Sequence, residues 1–187
     1  MDKTKYGRYP LIFPTPLVLA GAMVHGKPNY EPLGDCGIMN INPAVVYISS
    51  RKSHYTNNGI LKSKVFSINI PSVDMMEKVD YCGLVSGNKT DKSQLFTTFF
   101  GTKDNIPLID ECPVNIACKV IKRIKVFNMD VFIGEIIETF VGEGYITNGC
   151  VDIEKINPLI YCIDNFYWTI GNKLGKGFET GKLLQSK

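Results

Sequence analysis

The sequence predicts a mainly β domain of antiparallel strands with a few short helices at its periphery. Three observations carry that prediction. Short apolar or alternating runs recur along the chain and stop at glycine, proline or asparagine. The longest alternating stretch is followed across a short polar turn by a second one. Segments with helical spacing are few and short.

Taken in order, LVLAGAMV (17–24) reads as a strand, broken at HGKPN (25–29) by Gly26 and Pro28. KPNYEPLGDCG (27–37) reads as an irregular polar segment between strands. GIMNI (37–41) and AVVYIS (44–49) flank Asn42-Pro43 as a hairpin. Thr56 suits the cap of a helix running to about Lys62, although Gly59 weakens that helix by ~1 kcal/mol. VFSINIP (65–71) alternates and stops at proline. Ser72 suits the N-cap of a second helix, with Val73, Met76, Val79 and Cys82 along one face and Gly83 as its stop. DKSQLFTTFF (91–100) reads as a third helix. PVNIACKVIKRIKVF (113–127) and VFIGEIIETFV (131–141) form the longest hairpin, turning at Asn128-Met129-Asp130, and PLIYCI (158–163) is a last strand. Closing such a sheet into a barrel removes its exposed edges.

Length and composition narrow the function. At 187 residues the chain makes one domain, 1–187, with ordinary shares of hydrophobic (44%) and charged (21%) residues. A formal charge of +3 predicts neither a nucleic-acid nor a membrane partner. Six cysteines form no CxxC, and no Cys/His pair has zinc-ligand spacing. The proline-interrupted opening MDKTKYGRYPLIFPTP is neither signal peptide nor anchor, and a reduced cytoplasmic protein with packed thiols is expected.

Chemistry concentrates in three stretches. In YISSRKSHYT (47–56) a strand ends where a helix begins, which leaves backbone N–H groups facing outward, and Ser49, Ser50, Arg51, Lys52, Ser53, His54 and Thr56 add donors. That is a candidate phosphate grip. SGNKTDKS (86–93) is a second basic loop whose Gly87 permits close backbone approach and whose Lys89 and Lys92 offer point charges. The polar segment holding Asn29, Gly34, Asp35 and Cys36 is the third, as a site lining or a plain hairpin loop.

These stretches together resemble the flavin reductase-like family, flavoredoxins in particular. The resemblance rests on PTPLVLAGA, KPNY…GI…NPAVVYISSRKSHYT, FSINIPS, ECPVNIACKV, DVFIGEIIE and NPLIY, and above all on DYCGLVSGNKTDKS. It implies an FMN-binding split β-barrel of Greek-key type and a homodimer. By position, Ser49, Ser50, Arg51, His54, Tyr55, Thr56 and Lys92 would hold the flavin phosphate. Asn29, Gly34, Asp35, Cys36 and Asn69 would lie along the ring. The flavin would carry electrons, either from NADH or NADPH or between redox proteins, and no catalytic side chain is needed. Where many relatives carry an aromatic residue, this chain has Asp35, a carboxylate that beside the ring would lower the flavin potential.

Other residues read more plainly. Cys82, Cys112, Cys118, Cys150 and Cys162 are packing residues, and Cys36 is a small core residue before it is a redox group. His54 reads as a proton donor, a phosphate ligand or a solvated loop histidine. His25 belongs to a turn. Tyr167 and Trp168 would cover the flavin or fill an interface, or simply pack. The lysines of KVIKRIKVF serve solubility and edge protection. Two competing functions remain: a non-catalytic OB-like module for single strands, and an oxidase resembling the pyridoxamine phosphate oxidases.

Overall fold

The computed structural model describes residues 1–184. Seven strands form one antiparallel sheet: β1 (Val18–Val24), β2 (Lys27–Leu33), β3 (Cys36–Asn40), β4 (Val45–Arg51), β5 (Val65–Ile70), β6 (Val114–Val126) and β7 (Met129–Val141). Their order across the sheet is β2-β1-β5-β6-β7-β4-β3. Helix α1 (Thr56–Ser63) joins β4 to β5, α2 (Met76–Leu84) follows a 3₁₀ turn at Val73–Met75, and α3 (Ile153–Ile156) is a single turn.

β1 is apolar throughout because both of its faces are buried. Val18, Ala20 and Ala22 enter a core with Ile48, Ile60, Phe66, Ile68 and Phe132. Leu17 and Leu19 face a second core with Tyr30, Val79, Cys82 and Phe96. The turn to β2 is the two residues His25 and Gly26, at φ +50° and +80°, and such turns match the twist of a hairpin. Beyond it the structure departs from expectation: KPNYEPL is a regular strand. Pro28 and Pro32 are tolerated because β2 ends the sheet order, so the missing N–H groups break no ladder on its outer side.

The hairpin β3–β4 turns at a cis Asn42-Pro43 bond, as the sequence anticipates. The 91–100 helix does not form. Asp91 Oδ1 instead accepts the Ser93 N–H at 2.9 Å, and Thr98–Phe99 pairs with Leu108–Ile109. α2 runs to Leu84, one residue beyond Gly83; Val79 and Cys82 are its buried positions, and Met75 is buried in the 3₁₀ turn before it. The tighter 3₁₀ start shifts the phase and leaves Met76 exposed.

The sheet curls, and a side-chain bond shows how far. Ser50 on β4 donates to Glu31 on β2 at 2.9 Å, although five places separate these strands in one direction of the sheet order. Strands near opposite ends of the sheet therefore meet along a seam joined by side chains rather than by a backbone ladder. This is an incompletely closed barrel. Many of the candidate site residues gather along that seam.

Candidate functional site

A cleft of about 620 Å³ opens at the seam. One wall comes from the end of β4 and the start of α1: Arg51, Ser53, His54, Tyr55 and Thr56. The opposite wall comes from the end of α2 and the loop after it: Cys82 to Gly87, and Lys92. Asn29, Glu31 and Pro32 of β2 form its floor, and Tyr161 borders it.

Strand alternation explains the floor. Asn29 and Glu31 share a face of β2 with Leu33, which points into the barrel core, while Tyr30 between them packs on the opposite side. Asn29 Nδ2 donates to Thr56 Oγ1 at 2.8 Å, which fixes the first residue of α1 and leaves the threonine proton free to donate. On β4, Ser50 follows Val46 and Ile48 inward and ends at Glu31. His54 Nδ1 lies 2.6 Å from Glu31 Oε2.

Gly87 sits where the two walls touch. A Cβ there would fall 2.4 Å from the Tyr55 ring and 2.5 Å from Asn29 Oδ1, so only glycine allows the loop to close this far. Lys27 at the start of β2 pairs with Asp91 at 2.6 Å and ties the loop down.

Lys92 is the most informative group. Its side chain is buried, and its ammonium donates to the carbonyls of Cys82 (3.1 Å) and Val85 (3.4 Å) at the end of α2. Among the described residues no carboxylate lies within ion-pair distance of it. Burial lowers its pKa from the ordinary lysine value, with Cys82 and Glu31 opposing. A buried cation without a counter-ion, beside a cleft lined by hydroxyls and an arginine, fits a bound phosphate group.

The other expected residues fall into two groups. Arg51, His54, Tyr55, Thr56, Asn29 and Lys92 all line the cleft. Ser50 is buried beneath it with its hydroxyl committed to Glu31, so it supports the wall rather than offering a free donor. Gly34, Asp35 and Cys36 form the corner between β2 and β3, where the Ser49 N–H donates to the Asp35 carbonyl at 2.7 Å. The Asp35 side chain is exposed there, and neither it nor Ser49 is part of the cleft lining. Burial, and then Asp35, push the half-buried Cys36 thiol up to about 11, so it is protonated at neutral pH. Asn69 is placed elsewhere. Fully buried, it donates to the Leu19 carbonyl and Ser67 and accepts from the Ile109 N–H and Asn115, which leaves it nothing for a ligand.

Cys82, Cys112 and Cys118 are buried as expected, whereas Cys150 is exposed and is not a packing residue. Trp168 lines a separate apolar groove of about 890 Å³ with Tyr6, Tyr9 and Phe13, and Tyr167 donates to Asp80 at 2.7 Å. Sequence reasoning missed Glu31. Its one signal was its place two residues after Asn29, which in a strand means the same face.

Residues 10–169 match the flavin reductase like domain. The chain belongs to that family. It is 42% identical to flavoredoxin from Methanosarcina acetivorans, whose crystal structure superposes with a TM-score of 0.95 over 98% of this chain and 100% of that one. Flavoredoxin of Desulfovibrio vulgaris (Miyazaki F) is 33% identical, with a TM-score of 0.89 over 96% and 100%. A structure from Shewanella frigidimarina NCIMB 400, named for its split barrel domain, is 19% identical and matches in fold, with a TM-score of 0.74 over 87% and 84%. This flavin reductase-like chain has a split-barrel fold, and the OB-like module is not favoured. No helix among the described residues is long and apolar enough to cross a membrane.

Proposed function

We propose that the chain binds FMN in the seam cleft and passes electrons through it. The observation that carries this reading is the buried Lys92 ammonium, which has no carboxylate partner among the described residues and lines a cleft shared with Arg51, Ser53, Tyr55 and Thr56. In a flavin reductase-like protein such a cleft calls for a flavin bearing a phosphate, and FMN is the smallest of these. The flavin, when bound, supplies one- and two-electron chemistry. The protein's part is to orient it. Arg51 and Lys92 anchor the phosphate, Thr56 and Ser53 donate hydrogen bonds, and Gly87 against Tyr55 closes one end against water.

Between the two modes of electron delivery, the carrier is favoured. Two relatives above 30% identity, those described above, are named flavoredoxin. Reduction by NADH or NADPH is the second reading. A homodimer belongs to the same proposal, supported by the exposed aromatic groove of Tyr6, Phe13 and Trp168, as does cytoplasmic residence, supported by six free cysteines.

The test is to load the protein with FMN, desalt it, and record its visible spectrum under anaerobic conditions. Retained flavin that bleaches with dithionite or a reduced redox protein, and not with NADH or NADPH, establishes the carrier. Bleaching by a nicotinamide nucleotide establishes the reductase. A colourless protein overturns tight FMN binding.

A further inference from the structure

Beyond Lys119 the β6–β7 hairpin runs past its neighbour β5 as an arm. The ladder between β5 and β6 ends at the pair Val65 and Lys119, with one further bond from the Val120 N–H to the Lys64 carbonyl. From Ile121 to Val126 the outer edge of β6 has no strand partner among the described residues, and every residue there is exposed. The face of the arm opposite the buried Phe132 carries rows of cross-strand neighbours, since paired residues share a side. Val126 stands opposite Met129, and Met129 opposite Arg51. Ile124 stands opposite Val131, and Val131 opposite Ser49. The first row therefore starts at the open edge and ends at Arg51, which lines the cleft. Two strand spacings separate its ends, ~10 Å.

The arm is apolar along these rows and basic around them. Ile121, Ile124 and Val126 are exposed, where solubility alone calls for polar residues. Lys52, Lys122 and Lys125 are exposed too, and among the described residues no carboxylate lies within ion-pair distance of them. From Lys119 to Val131 the one acid is Asp130, which is buried and held by Arg123 at 2.7 Å. At the tip Phe127 is almost wholly exposed at φ +47°, a conformation that favours glycine. Lys52 fixes this tip beside the cleft wall: its N–H donates to the Asn128 carbonyl at 2.9 Å, and its ammonium donates to the Phe127 carbonyl. A strained aromatic residue that buries nothing in its own chain, set among exposed aliphatic side chains, has the make-up of an interface anchor. Its complement is an apolar patch with an acidic rim. A second copy is disfavoured, because two such faces would bring their lysines together.

We propose that this arm is the docking face for a small acidic electron-carrying protein, seated beside the flavin cleft. The inference rests on the reading of the cleft as an FMN site, and it names the class of partner. Lys52, Lys122 and Lys125 steer and orient the partner, while Phe127, Val126 and Ile124 supply the apolar contact. Docking itself makes and breaks no covalent bond. With a reduced iron–sulfur partner, each cluster is oxidised by one electron, that electron passes to the bound flavin, and water supplies any proton taken up.

The full chain is loaded with FMN and desalted, which settles flavin retention before any partner is added. Calorimetry then measures binding of oxidised bacterial-type two-cluster ferredoxin, a small acidic protein, at low and high salt. Binding at about 10 mM salt should weaken about tenfold or more by about 200 mM. Lys122→Glu combined with Lys125→Glu should weaken it about tenfold and flatten the salt dependence, whereas Lys155→Glu on α3 should change it little. Phe127→Gly should weaken it about tenfold without lowering the urea midpoint, a split that a merely structural role would not give. Reduction of the bound flavin by reduced ferredoxin should slow in parallel, while reduction by dithionite stays unchanged. No salt-dependent binding, or equal binding by the arm variants, overturns the inference and leaves the cleft reading standing. Failure of the unmodified chain to retain FMN overturns the cleft reading, and ferredoxin binding to the flavin-free chain still decides the arm. Binding of phosphatidylglycerol vesicles in place of ferredoxin, or loss of a dimer in the arm variants, gives this face to a lipid surface or a second copy and overturns the inference.

Discussion

At the scale of the residue, Lys92 does two jobs. It caps the carbonyl end of α2 and presents a charge to the cleft. Replacing it with methionine keeps the stem and removes the charge, so FMN affinity should fall about 10- to 100-fold while riboflavin affinity stays nearly unchanged, as fluorescence titration would show. Equal losses for both flavins would mean that the lysine only supports the helix end. That the end of β4 and the 86–93 loop carry donors toward one cleft was legible in the sequence because such donors are local: hydroxyls, bases and a glycine at a strand end or helix start. Glu31 and Ser50 were not legible as a pair, since nothing local joins β2 to β4. Asn69 was misjudged for the same reason, its four partners lying on β1, β5, β6 and the segment before β6.

At the scale of the element, glycine and turn chemistry outweigh propensity. Gly59 weakens α1 as a helix, yet a Cβ there would fall 2.5 Å from the Met23 carbonyl oxygen on β1. Gly59→Ala gains ~1 kcal/mol of helix propensity and loses about 1–3 kcal/mol to overpacking against backbone that cannot move aside. Net destabilisation is the expected outcome in urea unfolding. The opposite balance holds at the tip of the β6–β7 hairpin. Phe127 takes φ +47° in a two-residue turn and is 95% exposed, so it carries backbone strain and buries nothing. Phe127→Gly should raise stability by about 1 kcal/mol. Apolar runs made β1 and β4 readable in advance, and alternation made β5, β6 and β7 so. β2 was hidden by its two prolines, which mark a loop unless the strand is known to lie at an edge. The supposed third helix was hidden by apolar spacing in a segment whose aspartate and β-branched residues prefer turns and short strands.

At the scale of the whole molecule, the buried thiols set the alkaline limit of stability. Burial pushes Cys82 up to about 11 and Cys118 up to about 12, and it raises Cys112 further, all from an ordinary value near 9. A thiol that ionises more easily unfolded than folded contributes its stability fully below the unfolded value, and that contribution is lost as pH rises through the folded one. Lys92, lowered by burial, works in the opposite sense over part of the same range, one group against these three thiols and the half-buried Cys36. The ligand-free protein should therefore lose stability steadily above about pH 9, and Cys118→Ala should flatten that loss. Urea midpoints measured across the range, at constant ionic strength, would show it. A midpoint that holds level to pH 11 would mean that the thiols are not sealed from water.

The short strand at Thr15–Pro16 pairs with Ile160–Tyr161, and the Thr15 hydroxyl donates to the Tyr161 carbonyl across a separation of 146 residues. On a ribosome, the first of these segments must wait for its partner, 146 residues further on, to be made. Tyr161 borders the cleft, so that border is set in place only after the segment carrying it has been made. Nascent chains that end short of it should keep Leu17 and Leu19 open to chaperones and should hold flavin weakly.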